Sequence, residues 1–157
     1  MIIETTNNRP FHKTLLGSLF LALLLLSSCA KEDDVQAIFE GKTWYVTGAV
    51  INGQSIDGAE ITALFASQET YLLRFSSTTF TGILASGSSL AGTWSADGKH
   101  QTLSLKIQQA DQVNATTLSR NLYNILNSAT SYSGDTHILY IKADNKNYIQ
   151  FDVSKRK

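Results

Sequence analysis

Thr43-Trp44-Tyr45-Val46-Thr47-Gly48-Ala49-Val50-Ile51, followed at once by Asn52-Gly53, decides how this chain folds. β-branched and aromatic side chains suit a pleated, half-buried surface, and Asn-Gly readily adopts the left-handed backbone of a tight hairpin turn. The stretch predicts a strand that turns back on itself. Working outward, Tyr71 to Phe75 and Thr79 to Leu84 predict the next pair of strands. Leu90 to Ser95 and Thr102 to Gln108 predict a hairpin around Ala96-Asp97-Gly98-Lys99. There Leu103, Leu105 and Ile107 alternate with Ser104 and Lys106, the period of a strand with one face buried. A last hairpin pairs His137 to Lys142 with Tyr148 to Val153 through Asp144-Asn145-Lys146-Asn147, with Ile149, Phe151 and Val153 on one side and Gln150 and Asp152 on the other. Ser76-Ser77-Thr78-Thr79 and Ser86-Gly87-Ser88-Ser89 read as turns, because their side chains satisfy turn backbones locally.

One segment breaks the pattern. Leu118, Leu122, Ile125, Leu126 and Ala129 recur at helical spacing, which predicts a helix over 116–129 capped by Asn114 or Thr116, with Ser133-Gly134-Asp135 ending the connection after it. A weaker helical piece is predicted from Ala59 to about Ser67, with Ile61, Leu64 and Phe65 inward. A sheet with one greasy face needs a cover, and a one-striped helix supplies it. The expected fold is mainly β (α+β): an antiparallel curled sheet or open β-barrel of about seven to eight strands with one packed α-helix.

Among 157 residues, 13 Lys+Arg balance 13 Asp+Glu, which argues against a general nucleic-acid binder, since phosphates demand a basic face. The one Cys excludes an internal disulfide framework and any cysteine-rich zinc site. Leu15 to Leu26 is an apolar run that spans roughly 18 Å as a helix, too short for a hydrocarbon core of roughly 30 Å. With Arg9 and Lys13 before it and Ser27 and Ser28 after it, the run reads as a secretory signal peptide.

Leu26-Ser27-Ser28-Cys29 resembles the lipobox of bacterial lipoproteins. The resemblance implies cleavage before Cys29, lipidation of its sulfur with acylation (palmitate) of its amine, and a membrane anchor made of lipid. The acidic Ala30-Lys31-Glu32-Asp33-Asp34 that follows resembles the surface-export signal of Bacteroidetes-type lipoproteins. The expected organisation is a signal peptide over 1–28, lipidated Cys29 with an acidic tether over 29–37, and a single β domain over 38–157. The expected location is the bacterial envelope, at the outer membrane, with the periplasmic and surface faces both open.

Leu122-x-x-Ile125-Leu126-x-x-Ala129-x-x-Tyr132, then Gly134-Asp135, Leu139-Tyr140-Ile141 and Tyr148-Ile149-Gln150-Phe151 resemble the ending of the META (HslJ-like) domain family. Gly41-Lys42-Thr43-Trp44 is similar to that family's start, and Gly92-Thr93-Trp94 with Asp97-Gly98 and Leu103-Ser104-Leu105 resembles a hairpin of lipocalin-like envelope lipoproteins. The Gly-Cys-Asn stretch of the META core is absent, because no Cys follows Cys29. The resemblance implies an envelope-located β domain and transfers no catalytic residue.

Chemistry is sparse in the remaining motifs. The sequence has no His-Glu-x-x-His, no Gly-x-Ser-x-Gly elbow and no glycine-rich phosphate loop. His100 falls in a predicted turn, and His137 begins a predicted strand beside Asp135, a carboxylate it could pair with. Asp57, Glu60 and Glu69 share a region and are the carboxylates a hydrolase of envelope material would use. Lys155-Arg156-Lys157 is a basic tail able to touch anionic headgroups. Aromatics offer more: Trp44, Tyr45 and Trp94 are the candidate ligand or partner surface, with Trp44 and Trp94 alternatively plugging a barrel. No catalytic, cofactor or metal residues are assigned. The expectation is a non-catalytic envelope lipoprotein that binds a protein or glycan partner near the membrane. A lipocalin-like carrier of a small apolar ligand is the alternative.

Overall fold

The computed structural model describes residues 33–154. The expected signal peptide, Cys29 and the basic tail lie outside the described residues, as does the acidic segment up to Glu32.

The chain runs α1 (Val35–Phe39), β1 (Thr43–Ile51), β2 (Gln54–Ser55), α2 (Gly58–Phe65), β3 (Leu72–Phe75), β4 (Thr79–Ile83), β5 (Ser89–Asp97), β6 (Thr102–Asp111), α3 (Thr117–Asn127), β7 (Ser131–Gly134), β8 (Ile138–Lys142) and β9 (Tyr148–Asp152). Every strand pairing is antiparallel, and β1 also pairs with β9, which closes eight strands into a barrel and leaves β2 as an extra strand beside β1. Pairing of β1 with β9 removes the two edges that those strands would present in an open sheet. The seam between β6 and β7 is thin, a single pairing of Thr102 with Ser131. The helix α3 is inserted between those two strands and packs against β6, β8 and β9.

Local chemistry explains the helix starts. The Thr116 hydroxyl accepts the Ser119 N–H at 3.0 Å and the Ser119 hydroxyl accepts the Thr116 N–H at 3.0 Å, a reciprocal capping box. Leu118, Leu122, Ile125 and Leu126 are then buried on the one stripe that faces the core. In α2 the carboxylate of Asp57 accepts the Ala59 and Glu60 N–H groups, and Glu60 returns to the Asp57 N–H. Only Leu64 of α2 is fully enclosed, and Ile61, expected inward, is 40% exposed because this short helix presents too narrow a stripe to β1.

Two elements differ from expectation. Asp33 to Gln36, expected in the tether, are seated on the barrel: the Asp33 N–H donates to Gly98 O at 3.2 Å and the Asp34 carboxylate caps α1. Lys42 Nζ donates to the carbonyls of Ala37 and Ile38, covering the exposed C-terminal carbonyls of this one-turn helix. The second difference is Ser131–Gly134, expected as a connection, which forms β7 against β8 with Tyr132 buried.

The core is continuous and aromatic. Phe39, delivered by α1, stacks on Trp94 with ring centroids 4.9 Å apart and meets Phe75 and Tyr132 edge-on at 5.0 and 5.1 Å. Phe75 in turn contacts Trp94 at 5.3 Å and Phe80 at 5.9 Å. Trp44, Phe151, Leu139, Ile141 and Ile149 are each 0% exposed in the same cluster. Side chains therefore fill the barrel interior, as they do in small barrels.

A bulge at Thr47 sets which residues of β1 point inward. Val46 pairs with Phe151 and Gly48 with Gln150, so β1 carries one extra residue there. Trp44 and Val46 face the core before the bulge and Ala49 after it, while Tyr45, Gly48 and Val50 look outward.

Candidate functional site

Of the three aromatics expected at a binding surface, two are enclosed. Trp44 is 0% exposed and Trp94 is 8% exposed, both within the core cluster. The Trp94 Nε1–H donates to Ser76 O at 2.6 Å, the partner a buried indole needs. Their surface role is therefore corrected: alternation from Tyr45 and Ser95 turns both indoles into the barrel, where they act as plugs. Tyr45 alternates outward and stays half-buried on the outer sheet face.

The titratable candidates are dispersed. Asp57 and Glu60 do come together, as the helix cap described above, while Glu69 sits exposed in the following turn. His100 Nδ1 lies 2.6 Å from Asp97 Oδ2 in the β5–β6 turn. That hydrogen bond, with the Lys99 N–H, holds the Asp97 carboxyl below the usual carboxylate range. His137 Nδ1 is 3.9 Å from Asp135, whose Oδ1 instead accepts the His137 and Ile138 N–H groups at 2.7 and 3.0 Å. The Ile138 and His137 N–H groups lower the Asp135 pKa, so this carboxylate is a turn-former. Among the described residues no group of three His, Cys, Asp or Glu is placed to hold a metal ion, and no helix is long and apolar enough to cross a membrane.

A surface absent from the expected set emerges where β7, β8, β9 and β1 lie side by side. Register places Tyr140 opposite both Ser133 and Gln150, and Lys142 opposite Tyr148. The Tyr140 and Tyr148 rings meet edge-on at 6.2 Å, and Lys142 Nζ lies 6.0 Å from the Tyr140 ring centroid. With Ser133 and Asn145 these residues line an open groove of about 250 Å³. Gly48 faces outward beside Gln150, where an added Cβ would come no closer than 3.8 Å, so this stretch of the outer face stays low. The groove joins flat aromatic surface to a hydroxyl, a carboxamide and an ammonium group. That combination recognises ligands having both apolar faces and hydrogen-bonding edges. The signal was present in the sequence as Tyr140 and Tyr148 at outward positions of one hairpin, yet their meeting depends on strand register.

The chain is similar to a solved structure, a DUF4847 family protein from Bacteroides vulgatus ATCC 8482, with 24% sequence identity and a TM-score of 0.63. The similarity covers 78% of this chain and 99% of that one, and at this identity it speaks for the fold alone. No curated protein matches the chain. The family model that matches is a domain of unknown function rather than the META domain that the C-terminal third resembles. Because that model spans residues 30–153, nearly the whole barrel with α1 included, the chain belongs to the DUF4847 family.

Proposed function

We propose that this protein is a non-catalytic binding domain, held at a bacterial envelope membrane by lipid on Cys29, which captures a glycan or protein partner through its outer sheet face. The observation that carries the reading is the Tyr140–Tyr148–Lys142 groove, an aromatic and polar surface left open to solvent on a barrel whose interior is filled. A filled interior weighs against the carrier alternative, since Trp44, Phe39, Tyr132 and Phe151 stand where an apolar ligand would sit. Anchoring rests on the lipobox resemblance of Leu26-Ser27-Ser28-Cys29, and two or more acyl chains suffice for durable attachment.

The test uses the full chain in detergent and isolated envelopes from a Gram-negative bacterium. Binding that survives protease treatment of the envelopes identifies a glycan, and binding that is lost identifies a protein. A Tyr140→Ala/Tyr148→Ala variant that binds as well as the parent refutes the placement of the site. Persistence of Cys29→Ala in the membrane fraction refutes the lipid anchor.

A further inference from the structure

We propose that a carboxamide-walled notch beside the tyrosine groove binds one neutral saccharide unit. The inference deepens the binding reading above and rests on it for the partner's class. Three segments distant in sequence converge there: the β1–β2 turn brings Asn52, α3 brings Asn121 and Asn124, and the β8–β9 turn brings Asn147. The notch encloses about 170 Å³, below the range of drug-sized pockets and suited to a single ring.

The polar groups divide into those that build the notch and those left to bind. Asn147 is committed: its Nδ2–H donates to the Asp144 carboxylate at 3.2 and 3.1 Å, and its Oδ1 accepts the Asn52 N–H at 2.9 Å. The Asn52 bond ties the two turns together, and Gly53 N–H to Lys146 O at 2.8 Å adds a second link. The side-chain carboxamides of Asn52, Asn121 and Asn124 make no hydrogen bond among the described residues. Asn121 and Asn124 are three apart on α3 and so point from one helix face.

Each free carboxamide offers two donors and one acceptor in a plane. Adjacent sugar hydroxyls, each both donor and acceptor, match that arrangement. Ile51, Ile125 and Ala143 add apolar lining, which complements the C–H face of a pyranose ring. Charge narrows the class. Asp144 is the one ionisable side chain lining the notch, and Lys146 in the same turn offsets part of its charge, so the lining offers no cation of the kind a phosphorylated or uronic sugar would need. Asn145 lines the tyrosine groove while Asp144 and Asn147 line the notch, so a glycan chain crossing the β8–β9 turn reaches both.

The experiment is an NMR titration of the ¹⁵N-labelled full chain in detergent micelles. The probes are N,N′-diacetylchitobiose, cellobiose and mannobiose. The expected result is saturable movement of the Asn121 and Asn124 side-chain NH₂ signals with at least one sugar, at millimolar affinity. Asn121→Ala/Asn124→Ala should weaken that binding about tenfold or more with a thermal midpoint no lower than the parent's, since Ala is the better helix former. Asn52 is left in place because its backbone φ of 53° suits few other residues. Silence of those signals at about 50 mM of every sugar overturns the notch, as does equal binding by the double variant. Sugar shifts confined to Tyr140 and Tyr148 overturn the notch while leaving the binding reading intact. Notch titration in a protein that ignores envelopes overturns the binding reading and leaves the notch standing.

Discussion

Truncating Phe39 tests whether α1 is part of the barrel. The side chain is 0% exposed and touches Trp94, Phe75 and Tyr132 at 4.9, 5.0 and 5.1 Å. Phe→Ala in a core costs about 3–5 kcal/mol, and well-oriented ring pairs add about 0.5–1.5 kcal/mol each beyond burial. Three such contacts place Phe39→Ala in the upper half, about 4–5 kcal/mol. A domain of about 120 residues has an unfolding entropy near 0.25 kcal/mol/K, so the midpoint should fall by about 16–20 °C. Urea unfolding followed by tryptophan fluorescence measures the loss, and Trp94, deprived of its stacked neighbour, should emit further to the red in the native baseline. Phe39→Leu keeps most of the volume and should lose about 1–2 kcal/mol, a readable value if the alanine variant is too unstable. A loss below about 1.5 kcal/mol for Phe39→Ala would mean that α1 is not seated and that the tether extends through residue 37.

Gly92 lies at the β5–β6 bulge, where an added Cβ would meet Lys106 O at 2.1 Å, so Gly92→Ala should cost about 2–3 kcal/mol. A denaturation midpoint equal to the parent's would show that the two strands separate freely there. Thr116→Ala removes one arm of the α3 capping box and should cost about 1 kcal/mol by urea melting, with Thr116→Ser largely restoring it. Asp97, Asp135 and Asp144 all titrate below the usual range, chiefly through His100, the Ile138 N–H and Asn147 respectively. A carboxyl lowered by folding stabilises fully above its unfolded pKa of about 3.9 and loses that contribution as pH falls through the folded value. Stability should therefore hold from neutrality to about pH 5 and decline below about pH 4. Asp135→Asn keeps an acceptor for the turn but cannot ionise, so its acid limb should be shallower; an unchanged limb would remove Asp135 from the account.

Much of the barrel could be read from alternation. Leu103 and Leu105 against Ser104 and Lys106, and Ile149 and Phe151 against Gln150 and Asp152, point as their spacing requires. Elements too short to show a period were not legible. The five residues of α1, Val-Gln-Ala-Ile-Phe, follow directly on the acidic run and begin within the stretch expected as tether, and β7 offers only Tyr132 as an apolar signal in Ser131-Tyr132-Ser133-Gly134. Both exist because a docking surface was already present: the hairpin turn at Gly98 with the Trp94 face for α1, and the edge of β8 for β7.

The surfaces proposed for binding were less legible still. Trp44 and Trp94 are the large aromatics that local sequence offers to a binding surface, yet closure of the barrel puts both inside. Tyr140 and Tyr148 meet only because β8 and β9 pair in one particular register. The carboxamide notch needs Asn52 to reach Asn147 across 95 positions. What the sequence alone determined was the local chemistry: strand period, turn dipeptides, helix caps and the lipobox resemblance at Cys29. Tertiary structure decided which face of β1 turned inward after the Thr47 bulge, that β1 closed on β9, and which polar groups came together. Those outcomes depend on pairing between distant segments, which one-residue shifts in register reverse and which no local pattern encodes.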